Sequence, residues 1–272
     1  MSNPELRITF KKTTPKELKP EFRKMTKTLL SFLLFVLYVP SQALDLNTKW
    51  WYDFEGKLGN KEIILSFYLM DNGQLAGNYC YKMFESKIQL TGRISGNNIE
   101  LTELLNGKPN GYFKGKIFTD NADRFEGNWT NSNGKNTYAF KTTLSSACAS
   151  DSHNKRYELL IGSDDEAEKF MKQVKTSIIN GNKEWIANHI SYPIKIKLVK
   201  GKTATIKNKK QLIENFDQIF HHQYKGLISA SCVCNMFNNY QGVMLGHGII
   251  WINNTPESTS SRYGYVITAI NN

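Results

Sequence analysis

The sequence predicts an α+β protein built in two parts, an all-β meander that closes into an antiparallel barrel and a smaller α+β module behind it. Three observations predict this. A short motif, apolar-x-Gly-x-apolar, recurs between residues 54 and 129. Turn-forming clusters separate short apolar-alternating runs throughout the same half. From Ser163 onward the apolar spacing changes from alternation to a helical period.

Ahead of both parts stands Met25–Ala43, MTKTLLSFLLFVLYVPSQA. A basic start at Lys27, an apolar run Leu29–Val39 and a small-x-small end read as a secretory signal peptide. The run is short of the roughly 20 apolar residues a membrane span needs. Cleavage is expected between Ala43 and Leu44, leaving no transmembrane span. Residues 1–24 are polar, basic and broken by Pro4, Pro15 and Pro20. They read as a disordered extension or as an over-extended reading frame whose true start is Met25. The chain downstream is therefore expected in a periplasm or outside the cell.

The chain carries a net charge of +11, and residues 1–43 hold eight Lys/Arg against three Asp/Glu, so the exported part is only mildly basic at about +6. That balance does not call for nucleic acid. It suits a solvated lysine-rich surface, with an acidic protein or an anionic glycan or lipid surface as partner.

The barrel is expected over 45–146. Asp71-Asn72-Gly73, Ser95-Gly96-Asn97-Asn98, Asn106-Gly107 and Ser132-Asn133-Gly134 are turn signals. Between them, Ile63, Leu65, Phe67 and Leu69 alternate with mixed residues. The runs Gln74–Met83, Lys87–Ile94, Asn98–Leu104, Gly111–Thr119, Arg124–Thr130 and Lys135–Leu144 keep the same rhythm, making about eight strands. The repeated motif centres on Gly56, Gly77, Gly92, Gly115 and Gly127. Residues two apart in a strand share a face. Each glycine thus sits between two apolar side chains and lets the strand bend where a sheet curls over its own core. This half resembles the glycine-punctuated antiparallel barrels of exported bacterial proteins. Trp50, Trp51, Tyr79, Tyr81 and Trp129 are candidates for a ligand box in its mouth, with filling of the core and its ends the favoured reading. Glu100 and Glu103 lie near a strand end, but their spacing does not mark an acid/base pair.

A small, polar linker is expected over 147–162, with Lys155–Ile161 either a short strand or the lead-in to a helix. In the module over 163–272, Ser163-Asp164-Asp165-Glu166 is a capping box with acid in the first turn. Ala167, Phe170, Met171, Val174 and Ile178 follow at helical spacing, and Asn180-Gly181-Asn182 ends the helix. A second helix spans Lys183–His189. A strand pair, Ile194–Leu198 and Thr203–Ile206, precedes a third helix capped by Asn208. His221-His222 is expected to end that helix as a cationic cap. Three long strands, about 227–237, 242–252 and 263–270, close the chain.

The order of these elements, with Phe170…Val174…Ile178-Ile179-Asn180-Gly181-Asn182, Trp185-Ile186-Ala187…Ile190-Ser191-Tyr192-Pro193, Phe216-Asp217-Gln218-Ile219-Phe220 and Gly242-Val243-Met244-Leu245-Gly246…Ile249-Ile250-Trp251-Ile252, resembles the nuclear transport factor 2-like superfamily. The resemblance implies a curved sheet wrapped around a long first helix as a cone. Its members include isomerases, dehydratases and non-catalytic binding modules, so the fold does not choose a function. Enzymes of the superfamily place Asp, His or Tyr in the cone. The weak catalytic candidates carried over are His247, Asp217 and Tyr192, with a buried core histidine the favoured reading of His247.

Four cysteines, Cys80, Cys148, Cys232 and Cys234, fall in the exported part, where disulfides are favoured. The pairing stays open. Cys80–Cys148 and a bond from Cys148 into the second part both fit, and a bond within Cys232-Val233-Cys234 is awkward. No C-x-x-C pair is present, so no metal site is expected and no cofactor. No Ser/His/Asp signature, phosphate loop or H-E-x-x-H motif occurs. The reading is an exported, non-catalytic binding protein for a protein or small-molecule ligand of the cell envelope, in the manner of an inhibitor or immunity protein against an envelope-acting enzyme. The alternative is a small-molecule isomerase, dehydratase or hydrolase using the cone pocket, with His247 or Asp217 as base.

Overall fold

The computed structural model describes residues 46–119, 122–198, 201–255 and 264–272, all within one compact unit, Ala43–Asn272. The expected signal peptide, its expected cleavage point and the extension before it lie outside the described residues.

Eight strands, β1 (Trp50–Leu58), β2 (Lys61–Leu69), β3 (Gln74–Tyr81), β4 (Lys87–Ser95), β5 (Asn98–Leu105), β6 (Lys108–Phe118), β7 (Arg124–Asn131) and β8 (Thr137–Ala149), form a closed antiparallel barrel in chain order. β1 closes it by pairing with both β2 and β8. Alternation sends Phe54, Leu65, Phe67, Tyr79, Phe113, Phe125 and Phe140 into a packed lumen. Lys57, Gln89, Arg93, Lys114 and Lys141 stand exposed on the outer wall. The repeated glycines act as the sequence predicts. A Cβ on Gly127 would lie 2.1 Å from the Lys114 carbonyl oxygen and 2.5 Å from the Cα of Gly115, its partner across the ladder. Only hydrogen fits where the strands coil this tightly.

β8 runs to Ala149, so residues 147–149 belong to the barrel wall, where Ala147, Cys148 and Ala149 pair with Tyr52, Trp51 and Trp50. Lys155–Ile161 forms turns rather than a strand.

Four helices follow among the described residues: α1 (Asp164–Ile179), α2 (Lys183–Asn188), α3 (Lys209–Ile219) and α4 (His222–Ala230). The Ser163–Glu166 capping box forms in both directions, and Asn182 and Asn208 cap α2 and α3. α1 turns Ala167, Met171, Val174 and Ile178 into a second core shared with Leu212, Phe216, Ile252 and Ile267. β9 (Ile194–Lys197) pairs with β10 (Thr203–Ile206). A separate four-stranded sheet takes the order β11 (Phe237–Asn239), β12 (Gly242–Leu245), β13 (Ile250–Asn254), β14 (Tyr265–Ile270). The module is α+β, as expected.

Two of the three long closing strands are corrected. Most of 227–237 is helix and loop: Tyr224 and Ile228, four apart, are the buried residues of α4. His221 caps the start of α4 rather than the end of α3, because its Nδ1 accepts the Tyr224 backbone N–H at 3.4 Å, which requires an unprotonated nitrogen. The 242–252 run is a hairpin. Gly246 and Gly248 adopt φ of +57° and +82° and turn the chain between β12 and β13.

Candidate functional site

Two places gather the chemistry-bearing side chains. The first is one end of the barrel lumen, where β3 and β5 end and β6 begins. Period-two alternation turns Glu100 outward, where it pairs with Arg93 at 3.1 Å and Lys114 at 3.6 Å, and turns Glu103 inward, where it is 3% exposed. The Glu103 carboxylate accepts from the Tyr79 hydroxyl at 2.7 Å, from Trp129 Nε1 at 2.9 Å and from Asn110 Nδ2. Burial and this carboxylate push the Tyr79 hydroxyl well above its ordinary range. The Tyr81 ring meets Tyr79 edge-on at 5.6 Å, and Trp129 stacks on Tyr138 at 6.1 Å. Three of the predicted box residues, Tyr79, Tyr81 and Trp129, are therefore brought to one mouth. Around it, Met83, Phe84, Leu105 and Tyr138 are exposed on the loops and strand ends of that same barrel end. Sequence reading missed Glu103 as their anchor, although its inward parity on β5 with Ile99 and Leu101 was available as a signal.

Trp51 is not part of this group. It faces the outer wall, packed on Tyr68 and Cys148, with the Arg156 guanidinium 5.4 Å from its ring. Trp50 packs against the barrel core, only partly buried. Arg156 is the bolt of the joint between barrel and module. It donates to Asp53, to Ser66 Oγ at 3.0 Å and to the Met236 carbonyl at 2.9 Å. Burial opposes its charge, and Asp53, with Cys148 and Tyr157 beside it, together more than offset that, holding the guanidinium above its ordinary range.

The second place is a cleft of about 420 Å³ beside that joint. Barrel residues Asp53, Glu55 and Lys82 face Cys232, Cys234 and His247 across it. At its wall the sulfurs of Cys80, Cys232 and Cys234 all lie within 4.8 Å of one another, with Cys80 and Cys232 3.8 Å apart. Cys80 and Cys234 are buried with Ile64. Cys232 is held below its ordinary pKa, at about 3, by the neighbouring Cys234 and Cys80 thiols, while Cys80 and Cys234 are pushed up.

Cys148 stands apart. It pairs with Trp51, then across Tyr68 to Ala76, which puts it three strands and four residues from Cys80. That is roughly 14 Å across the sheet and 13 Å along it, so neither Cys80–Cys148 nor a bond from Cys148 to Cys232 or Cys234 is within reach. Its sulfur instead accepts from Asn238 Nδ2 at 3.4 Å, and burial raises its pKa. The expectation of no metal site rested on local spacing, which could not bring in the third sulfur of this cluster, supplied by β3.

The catalytic candidates are not assembled. His247 is exposed in the β12–β13 turn rather than buried on a strand. It lines the cleft, but the carboxylates there are already engaged, Asp53 by Arg156 and Glu55 by Lys82 at 2.6 Å. Asp217 is exposed on α3 and paired with Lys183 at 2.6 Å, which lowers its pKa. Tyr192 donates to the Ala187 carbonyl at 3.0 Å, and burial pushes its hydroxyl up to about 12.

No protein-family profile and no curated protein sequence matches the chain. Among solved structures, the crystal structure of a rhizavidin–biotin complex is similar at 15% identity and a TM-score of 0.26, over 36% of this chain and 98% of that one. No described helix is long and apolar enough to cross a membrane.

Proposed function

We propose that this chain is an exported, non-catalytic binding protein of the cell envelope that engages a protein partner through the mouth of its barrel. The observation that carries the reading is the exposed apolar rim. Met83 is 71% exposed, Phe84 63%, Leu105 56% and Tyr138 52%, all at the end where Tyr79, Tyr81 and Trp129 converge on Glu103. Exposed apolar surface of this kind is what a partner covers. The satisfied hydrogen bonds behind it give a rigid platform, which lowers the ordering cost of association. The scattering of His247, Asp217 and Tyr192 supports binding over catalysis. Within this reading the signal peptide directs export, and the module is a shortened relative of the nuclear transport factor 2-like architecture, supported by its long capped α1 against a small antiparallel sheet. An inhibitor or immunity role against an envelope-acting enzyme suits such a surface.

The test expresses the full chain in a bacterial host, fractionates the cells, and places a photo-crosslinking residue at Tyr138. The expected result is an envelope-localised chain and a discrete crosslinked protein, lost in the F84D/L105D variant with unchanged unfolding. Retention in the cytosol, or undiminished crosslinking by that variant, overturns the reading.

A further inference from the structure

We propose that Cys80, Cys232 and Cys234 form a binding site for one thiophilic d10 metal ion, Zn²⁺ or Cu(I), that staples the C-terminal module to the barrel wall. Thiolate sulfur selects these ions over hard cations. The geometry fits them. Metal–sulfur bonds of about 2.3 Å place the sulfurs of a tetrahedral site about 3.8 Å apart, and Cys80 and Cys232 are 3.8 Å apart. A disulfide needs about 2.05 Å and uses only two sulfurs, leaving the third against the bond. All three sulfurs are within 4.8 Å of one another.

The ligands sit on stiff supports. Cys80 is on β3, fixed by ladder pairing to Ile64 and Lys87. The Cys232-Val233-Cys234 loop is tied down at both sides. Lys175 Nζ donates to the Ser231 carbonyl at 2.7 Å, and Asn235 Nδ2 donates to Asn78 Oδ1 at 2.7 Å. The Cys234 backbone N–H points at Cys232 Sγ at 3.4 Å, the kind of outer contact that orients a thiolate ligand. Each thiol that becomes a ligand loses its proton to solvent, and the ion takes up the negative charge that three close sulfurs cannot share alone. Lys175 adds positive potential at Cys232. Cys232 and Cys234 line the cleft, so the fourth position opens on it, where Met236, Met244 and His247 also stand. The site lies on the outer face of β3, opposite the lumen-side Tyr79 and Tyr81, and it is inferred from its sulfurs, not from what the mouth binds.

The test uses the full chain purified anaerobically from cells supplied with zinc or copper. Elemental analysis is expected to give one equivalent of one of these ions per chain, and the analysis of the two preparations decides which. Replacement by cobalt(II) is expected to produce a thiolate charge-transfer band. C80S, C232S and C234S should each weaken cobalt binding by more than about 100-fold, while C148S leaves it unchanged. Circular dichroism identifies any variant that fails to fold, and the wild-type titration decides the matter without variants. A Cys80–Cys232 disulfide in unreduced peptide mass spectra, a reduced wild-type chain that gives no cobalt–thiolate band, or equal loss in C148S would each overturn the proposal.

Discussion

Replacing Arg156 by methionine tests what joins the two parts. Arg156 and Asp53 are each 2% exposed. In R156M the Asp53 carboxylate keeps the Ser66 and Ser146 hydroxyl donors, both at 2.6 Å, and loses its guanidinium partner. The Met236 carbonyl loses a donor as well. Stranding a buried charge costs about 3–5 kcal/mol, and an orphaned buried carbonyl about 1–3 kcal/mol. These penalties overlap because the site relaxes as one unit, so a total of about 3–5 kcal/mol is expected. Adding Asp53→Asn removes the stranded charge. The double variant R156M/D53N should recover about 1–3 kcal/mol of coupling. Urea unfolding followed by tryptophan emission reads both quantities. A cost below about 1 kcal/mol for R156M, or strict additivity in the cycle, refutes the argument that this pair carries the joint.

Three further outcomes are expected. Gly127→Ala forces a Cβ to within 2.1 Å of the Lys114 carbonyl oxygen, so it should destabilise the barrel by about 1–3 kcal/mol in thermal unfolding, whereas Gly226→Ala, inside α4 with nothing within 4 Å of the added Cβ, should not destabilise. Glu103→Gln turns an amide group toward donors that a carboxylate now accepts, costing about 1.5–3 kcal/mol, with a red-shifted Trp129 emission as the local readout. Ser163→Ala removes the α1 cap at a cost of about 1 kcal/mol. Glu166 is held below the usual carboxylate range by hydrogen bonds from Ser163. Its contribution is therefore present above the unfolded carboxylate range and lost as pH falls through the folded pKa. The gap between wild type and Ser163→Ala should narrow below about pH 4, and a gap that widens there contradicts the capping assignment.

Much of this protein was legible in its sequence because much of its order is local. Alternation around Phe54, Leu65, Phe113 and Phe125 sets which face of each strand is buried, and the repeated glycines, Gly115 and Gly127 among them, already imply close strands. Ser163 and Glu166 announce α1 within four residues. Where local signals competed, reading failed: Ile228, Ala230 and Cys232 alternate with Ser229 and Ser231 like a strand, yet the Tyr224–Ile228 pair and the His221 cap make a helix. Gly246 and Gly248, read as flanks of a strand histidine, reverse the chain and leave His247 exposed. Local rules named Tyr79, Tyr81 and Trp129 as candidates and carried the parity of Glu103, but not the meetings that make either site. Tyr79, Glu103 and Trp129 meet only because barrel closure brings β3, β5 and β7 to one mouth. Cys80 and Cys232 are 152 residues apart in the chain, and their meeting depends on the module docking on one stretch of wall, held by Arg156 on Asp53. Periodicity encodes which side of an element is apolar. Which elements face one another is a property of the whole packed chain, and the chemistry of this protein sits at those meetings.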